Sequence, residues 1–199
     1  GLSATPNSIL DDANQAVAQF GECVAPAGDI NGDGYGDVIV GAKLFDDGAN
    51  TDEGRAFVYY GSSTGLNASP GDTPDDANQS NSSFGISVAS AGDVNGDGYS
   101  DVIIGARFYD DGANTDEGRA FVYYGSSTGL SATPNSTPDD ADQAGAYLGY
   151  SVACAGDVNG DGFSDVIVGA YLYDDGGNTD EGRAFVYYGN NTGGLRNNL

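Results

Sequence analysis

Apolar residues in this chain gather in short runs separated by stretches of Gly, Asp, Asn and Ser. Gly85-Ile86-Ser87-Val88-Ala89 alternates apolar and small residues, Val102-Ile103-Ile104 is continuous, and Arg55-Ala56-Phe57-Val58-Tyr59-Tyr60-Gly61 is aromatic and β-branched. Such runs, bounded by Gly and Asp, predict strands. Three consecutive β-branched residues predict a strand buried on both faces. Helical periodicity is absent; the nearest candidate, Ala13 to Gln19, is short and uncapped and reads as loop.

The pattern recurs. Asp29-Ile30-Asn31-Gly32-Asp33-Gly34-Tyr35-Gly36-Asp37 returns at 93–101 and at 157–165, a constant spacing of 64 residues. The rest of the unit repeats with it. A polar stretch at 11–15, 75–79 and 139–143 precedes Phe20-Gly21, Phe84-Gly85 and Leu148-Gly149. The apolar strand after the loop ends at Val40-Gly41-Ala42, Ile104-Gly105-Ala106 and Val168-Gly169-Ala170. An acidic segment follows at 46–54, 110–118 and 174–182, and then a last strand at 55–61, 119–125 and 183–189. About four short strands per unit is the content of a propeller blade. The expectation is an all-β chain forming one propeller segment over 1–199. Residues 1–19 form an outer strand and loop, and the repeats run 20–83, 84–147 and 148–199, the last lacking its own outer strand. A 64-residue unit is too long for a β-helix coil, and a β-sandwich requires no such repeat.

Within the loop, oxygen side chains alternate at Asp29, Asn31, Asp33 and Asp37. Calcium takes six to eight oxygen ligands, and alternating acids on a tight turn supply most of them. Gly34 follows where the turn needs positive φ, and the carbonyl of Tyr35 is placed as a further ligand. The loop is not an EF-hand: Val40 stands where the bidentate Glu would be, and strands flank it rather than helices. The expected ligands are therefore Asp29, Asn31, Asp33, Tyr35 and Asp37, then Asp93, Asn95, Asp97, Tyr99 and Asp101, then Asp157, Asn159, Asp161, Phe163 and Asp165, for about three Ca2+ per chain. A turn that binds nothing uses the same residue types. Three copies with every carboxylate kept argue against it, since apposed acids without a cation repel.

Composition narrows the classes. The 199 residues include 33 Gly and no His, Met or Trp, a turn-rich and β-rich content that leaves zinc and copper poorly served. Thirty acids against six bases give a net charge of −24, which repels nucleic acid and anionic membranes. No apolar run is long enough to cross a membrane as a helix. The chain opens at Gly1 without a signal-peptide pattern and reads as mature or trimmed. Cys23 and Cys154 fall at non-equivalent repeat positions and are expected to be buried thiols, with a disulfide left open.

Taken together, Phe20-Gly21, Phe84-Gly85, the Gly-Ala pairs at 41, 105 and 169 and the acidic loops between them resemble the FG-GAP repeat of integrin α-subunit propellers and of bacterial surface and secreted proteins. Leu148 replaces Phe, and Lys43, Arg107 and Tyr171 stand where the family often has Pro. The resemblance implies calcium loops between the first and second strands on one face of a propeller. It implies ligand binding on the opposite face, from 46–54, 110–118, 174–182 and 11–19, 75–83, 139–147.

Three blades do not close a ring that typically has four to eight. The N-terminal strand, Leu2 to Ile9, is expected to complete the last blade of a neighbouring chain, in a dimer of six blades ahead of a trimer of nine. A fragment of a longer array, or a designed and consensus-like chain, also fits repeats this similar. The function expected is a non-catalytic, calcium-binding scaffold for protein interaction or adhesion, extracellular or at the cell surface. A glycan-binding propeller, with Tyr59 and Tyr60 stacking on sugars, is the alternative. A hydrolase-associated role using Asp46, Asp47, Asp52 and Glu53 ranks behind it. These acids recur in every repeat, and their bland reading is a solvated hairpin in which Glu53 pairs with Arg55; a second cation site there is left open.

Overall fold

The structure, a computed structural model, describes residues 3–11, 14–75, 77–139, 141–192 and 195. Residues 2, 12, 13, 76 and 140, which belong to the expected N-terminal strand and the polar segments, lie outside them. Among the described residues there are nine strands and no helix. They are β1 (Cys23–Gly28), β2 (Asp37–Ala42), β3 (Arg55–Tyr59), β4 (Phe84–Gly92), β5 (Asp101–Ala106), β6 (Arg119–Tyr123), β7 (Leu148–Gly156), β8 (Asp165–Ala170) and β9 (Arg183–Tyr187).

They form three antiparallel sheets, β1-β2-β3, β4-β5-β6 and β7-β8-β9, each from one repeat. Register is the same in all three: Val40 faces Val24 and Phe57, as Ile104 faces Val88 and Phe121. The central strands carry the continuous apolar runs, and β5 is buried along its whole length. That is what a strand covered on both faces requires.

Blades of four strands were expected, and three strands per sheet are found. The outer segments 71–75 and 135–139 do hydrogen-bond to β3 and β6. The N–H groups of Ala56 and Val58 donate to the carbonyls of Pro74 and Asp72 at 3.0 and 2.9 Å. The same pair recurs from Ala120 to Pro138 and from Val122 to Ser136. Each segment amounts to one bridge, because Pro74 and Pro138 have no N–H to extend the ladder. No strand forms over the described residues 3–9.

The sheets stack face to face. One core lies between the first and second, with Ile39, Ala56 and Val58 against Phe84, Ile104 and Phe121. A second lies between the second and third, with Ile103, Ala120 and Val122 against Leu148, Val166 and Val168. The repeated glycines follow from this stacking. A Cβ on Gly41 would lie 2.0 Å from the Gly85 carbonyl oxygen, and one on Gly105 only 1.9 Å from that of Gly149. The Gly of the first two Gly-Ala pairs thus admits the backbone of the next Phe-Gly or Leu-Gly pair.

Candidate metal centre

The three acidic loops join the first strand of each sheet to its second, at one end of the stack. Their backbones wind around their own side chains. Asp29 accepts from the N–H groups of Asp33 and Gly34 at 3.0 and 2.9 Å, and Asp33 accepts from Tyr35 at 2.9 Å. Asn31 accepts from Asp33 at 3.1 Å and donates its side-chain N–H to the Asp33 carboxylate at 3.0 Å. Loops 93–101 and 157–165 repeat these contacts. Gly34, Gly98 and Gly162 have φ near +90°, as the turn demands.

The ninth position behaves differently. Asp37, Asp101 and Asp165 are buried at 2% exposure or less. One oxygen of Asp37 accepts from Ile30 N–H and the other from Gly61 N–H, both at 2.8 Å. Asp101 accepts from Val94 and Gly125 in the same way, and Asp165 from Val158 and Gly189. Each therefore fastens the loop to the end of the third strand. The sequence marked these residues only as ligands; a carboxylate at the first residue of a buried strand was the available clue to this second role.

Burial raises the Asp37 carboxyl above its ordinary range, and Asp33 and Asp29 raise it further, while the two N–H donors oppose the shift. Burial lifts Asp101 to about 7, with Asp97 and Asp93 adding to it. Like charges thus sit close enough to disfavour one another, the circumstance a cation relieves. The donors are all oxygen, which suits a hard cation and not a soft one. Among the described residues no three Asp, Glu, His or Cys side chains converge at metal-holding distance. The loop carboxylates turn instead to backbone N–H groups. The donor chemistry fits calcium.

Successive loops are tied together. Ser100 N–H donates to the Asp29 carbonyl at 3.0 Å, Asp29 N–H donates to Ser100 Oγ at 3.1 Å, and Ser164 N–H donates to the Asp93 carbonyl at 2.9 Å. The aromatic residue at position seven lies over the preceding loop. A Cβ on Gly32 would meet Tyr99 at 2.7 Å, and one on Gly96 would meet Phe163 at 2.5 Å. Tyr35, with no loop before it, is 43% exposed.

The second acidic segments sit at the other end of the sheets. They interlock with the polar stretches: Gln15, Gln79 and Gln143 each bond the backbone of Asp46, Asp110 and Asp174 through both amide atoms. The expected Glu53–Arg55 pair does not form. Arg55 pairs with Asp47 at 3.0 Å and with Asp75, and Arg119 with Asp111 and Asp139 at 3.0 and 2.7 Å. Glu53 and Glu117 turn inward and are 1% exposed, and burial raises both carboxyls. Glu117 is held by the side-chain N–H of Asn114 at 3.1 Å and by Asp142 N–H at 2.6 Å. These glutamates brace the loop from below and are not solvated.

Two other expectations resolve here. Tyr59 and Tyr123 are core residues, and Tyr60 is half-buried with its hydroxyl bonded to Asp72. Both thiols are free, but only Cys23 is half-buried; Cys154 is exposed. It lies near the end of β7, beside the metal loop.

The FG-GAP repeat description matches residues 20–59, 84–123 and 148–187. Among curated proteins, the chain is 36% identical to human integrin alpha-7 over 81% of its own length and 13% of that protein. It is 32% identical to mouse integrin alpha-IIb, over 79% of the chain and 15% of that protein. Integrin alpha-5 of Xenopus laevis is also 32% identical, over 80% and 15%. The chain thus spans about a seventh of the curated relatives it matches.

Proposed function

From the premise that this chain belongs to the FG-GAP repeat family, we propose that it is a calcium-stabilised propeller segment serving as a non-catalytic scaffold for extracellular, adhesion-type interactions. The observation that carries the reading is the threefold recurrence of one oxygen-rich loop geometry at one end of three stacked sheets. Asp29, Asn31, Asp33 and Asp37, the Tyr35 carbonyl and their counterparts would hold the ion. When bound, it would neutralise carboxylates that now depend on backbone N–H groups and the Asn31, Asn95 and Asn159 amides. Extracellular calcium modules bind at ~10⁻⁴–10⁻³ M, which suits a millimolar environment.

The opposite end, built from the interlocked acidic segments, is the surface offered to a ligand. Its charge favours a basic partner. The repetition of Asp46, Asp47 and Asp52 in every sheet supports a structural role over an asymmetric catalytic one. Similarity to integrin α-subunits supports the extracellular placement. Among the described residues no helix is long and apolar enough to cross a membrane.

Calorimetric titration of chelator-treated protein with Ca2+ tests the reading. About three ions per chain with sub-millimolar to millimolar affinity are expected. No heat and no thermal shift at 10 mM Ca2+ would overturn it.

A further inference from the structure

The three metal loops are joined into one path of backbone contacts. Asp37 accepts from Ile30 N–H at 2.8 Å. The Ile30 carbonyl lies against Gly125, where a Cβ would meet it at 2.7 Å. Gly125 N–H donates to Asp101 at 2.9 Å, and Asp101 also accepts from Val94 N–H at 2.8 Å. The Val94 carbonyl accepts from Asn190 N–H at 2.9 Å, and the adjoining Gly189 donates to Asp165 at 3.0 Å. The ninth-position carboxylates are thus linked from the first loop to the third. Both junctions lie between elements that the chain itself supplies.

A second set of contacts runs beside the first. Ser100 follows Tyr99, whose carbonyl is a ligand position of the middle loop. Ser100 engages both backbone groups of Asp29, the first ligand position of the preceding loop: its N–H donates to the Asp29 carbonyl, and its Oγ accepts from Asp29 N–H. The Tyr99 ring covers Gly32 of that same loop. Ser164 N–H and the Phe163 ring repeat the arrangement on Asp93 and Gly96. Residues that would grip one ion are therefore consecutive with residues that hold the first ligand of the loop before.

We propose that the three loops take up calcium with positive cooperativity, each ion ordering the backbone that presents ligands to the next. This rests on the calcium reading and adds to it the regulation of those sites. An ion at Asp97, Asp101 and the Tyr99 carbonyl fixes Tyr99, Ser100 and Asp101. The backbone of Asp29 and Ile30 then has less freedom left to lose when its own ion binds. Asp101 can serve ion and backbone together, because two N–H bonds leave lone pairs free on its oxygens. Repulsion between ions acts in the opposite sense. Stacked sheets lie about 10 Å apart, roughly one Debye length at about 0.15 M salt. Screening at that distance leaves the ordering contacts to set the sign. By linkage the coupling is reciprocal between neighbours.

Amide exchange of each loop in the full chain, read by mass spectrometry across a Ca2+ titration at about 0.15 M salt, tests the proposal. The three loops should gain protection over one range, with a Hill coefficient above 1. Asp97→Asn removes an ion ligand from the middle loop, and the midpoints of 29–37 and 157–165 should then rise about fivefold or more. Ser100→Gly takes away the acceptor of Asp29 N–H and installs the residue the first loop carries as Gly36. Loop 29–37 should then fill later than in wild type, while 93–101 and 157–165 still fill together. Wild-type loops that fill independently would overturn the proposal and leave calcium binding intact. So would unmoved midpoints at 29–37 and 157–165 in Asp97→Asn. A Ser100→Gly variant that melts lower without calcium yet titrates as wild type would make the clasp structural only, and would overturn it too. Exchange unchanged in every loop at about 10 mM Ca2+, well above the range of extracellular modules, would strike the calcium reading first and the coupling with it.

Discussion

Strands β6 and β9 have the same sequence, Arg-Ala-Phe-Val-Tyr, and the same register with their neighbours. In β6 everything but the Arg is buried; in β9 only the Tyr is. Local pattern therefore decides that a strand forms and which way each side chain points. The neighbouring sheet decides what that side chain contributes. An apolar face stabilises by area removed from water, so the same Val is worth much in the middle sheet and little in the last.

The largest test of that difference is truncation of matched aromatic residues. Phe121 is 3% exposed and packs edge-to-face with Phe84 at 5.2 Å, whereas Phe185 is half-buried beside Tyr173. Phe121→Ala should cost about 3–5 kcal/mol, and Phe185→Ala about half that, by urea denaturation. For Val122→Ala and Val186→Ala the same contrast should hold in dilute protein. Equal costs in protein shown to be single-chain would break the comparison.

Calcium removal should separate the sheets too. At tenfold excess over the dissociation constant each site adds about 1.4 kcal/mol, so three add about 4 kcal/mol. Chelation should then lower Tm by about 10 °C. The loss should be uneven. Loops 29–37 and 93–101 are each clasped by the next loop through Ser100 and Ser164, whereas nothing lies within 4 Å of a Cβ at Gly160. Amides 157–165 should gain hydrogen exchange first. Uniform exchange across the three loops would remove the clasp from the explanation.

A smaller contrast lies inside one loop. Asp101→Asn replaces an acceptor that serves both Val94 and Gly125 N–H, leaving one buried donor unpaired at about 1–3 kcal/mol. Asp97→Asn, at an exposed position, should leave metal-free stability within about 0.5 kcal/mol and weaken calcium binding. Similar metal-free costs for the two would deny Asp101 its fastening role.

Much of this was legible in the sequence, and the exceptions share a cause. The period, the strands and the loop composition are local properties, and Gly34 announces its own turn. The double duty of Asp37, the inward turn of Glu53 and the exposure of Cys154 depend on what a distant segment brings alongside. Gly61 lies 24 residues from Asp37, and no spacing rule reports that contact. Fourth strands were read from repeat content, while Pro74 and Pro138 held the reason those segments make only a bridge. The pairing of Arg55 with Asp75, 20 residues on, was hidden by nearer acids such as Glu53.

A pH dependence follows from the same loop, and its sign separates the metal-free from the loaded loop. Burial holds the Asp101 carboxyl at about 7 in the folded chain, against an ordinary value of 3.8. Between those values the folded state keeps a proton that the unfolded state has released. The folded state binds more protons there, so this group's contribution to stability falls as pH rises. It is fully present below about pH 4 and gone above about 7. Asp37 shifts in the same direction for the same reason. Metal-free protein should therefore show a Tm that drops between pH 5 and pH 7.5, and Asp101→Asn should flatten the drop. Calcium engages the ionised carboxylate, so saturating Ca2+ should flatten or reverse the slope. A metal-free Tm that climbs over this window would mean that the backbone N–H donors outweigh burial at Asp101, and that the middle loop does not need a cation to hold its charge.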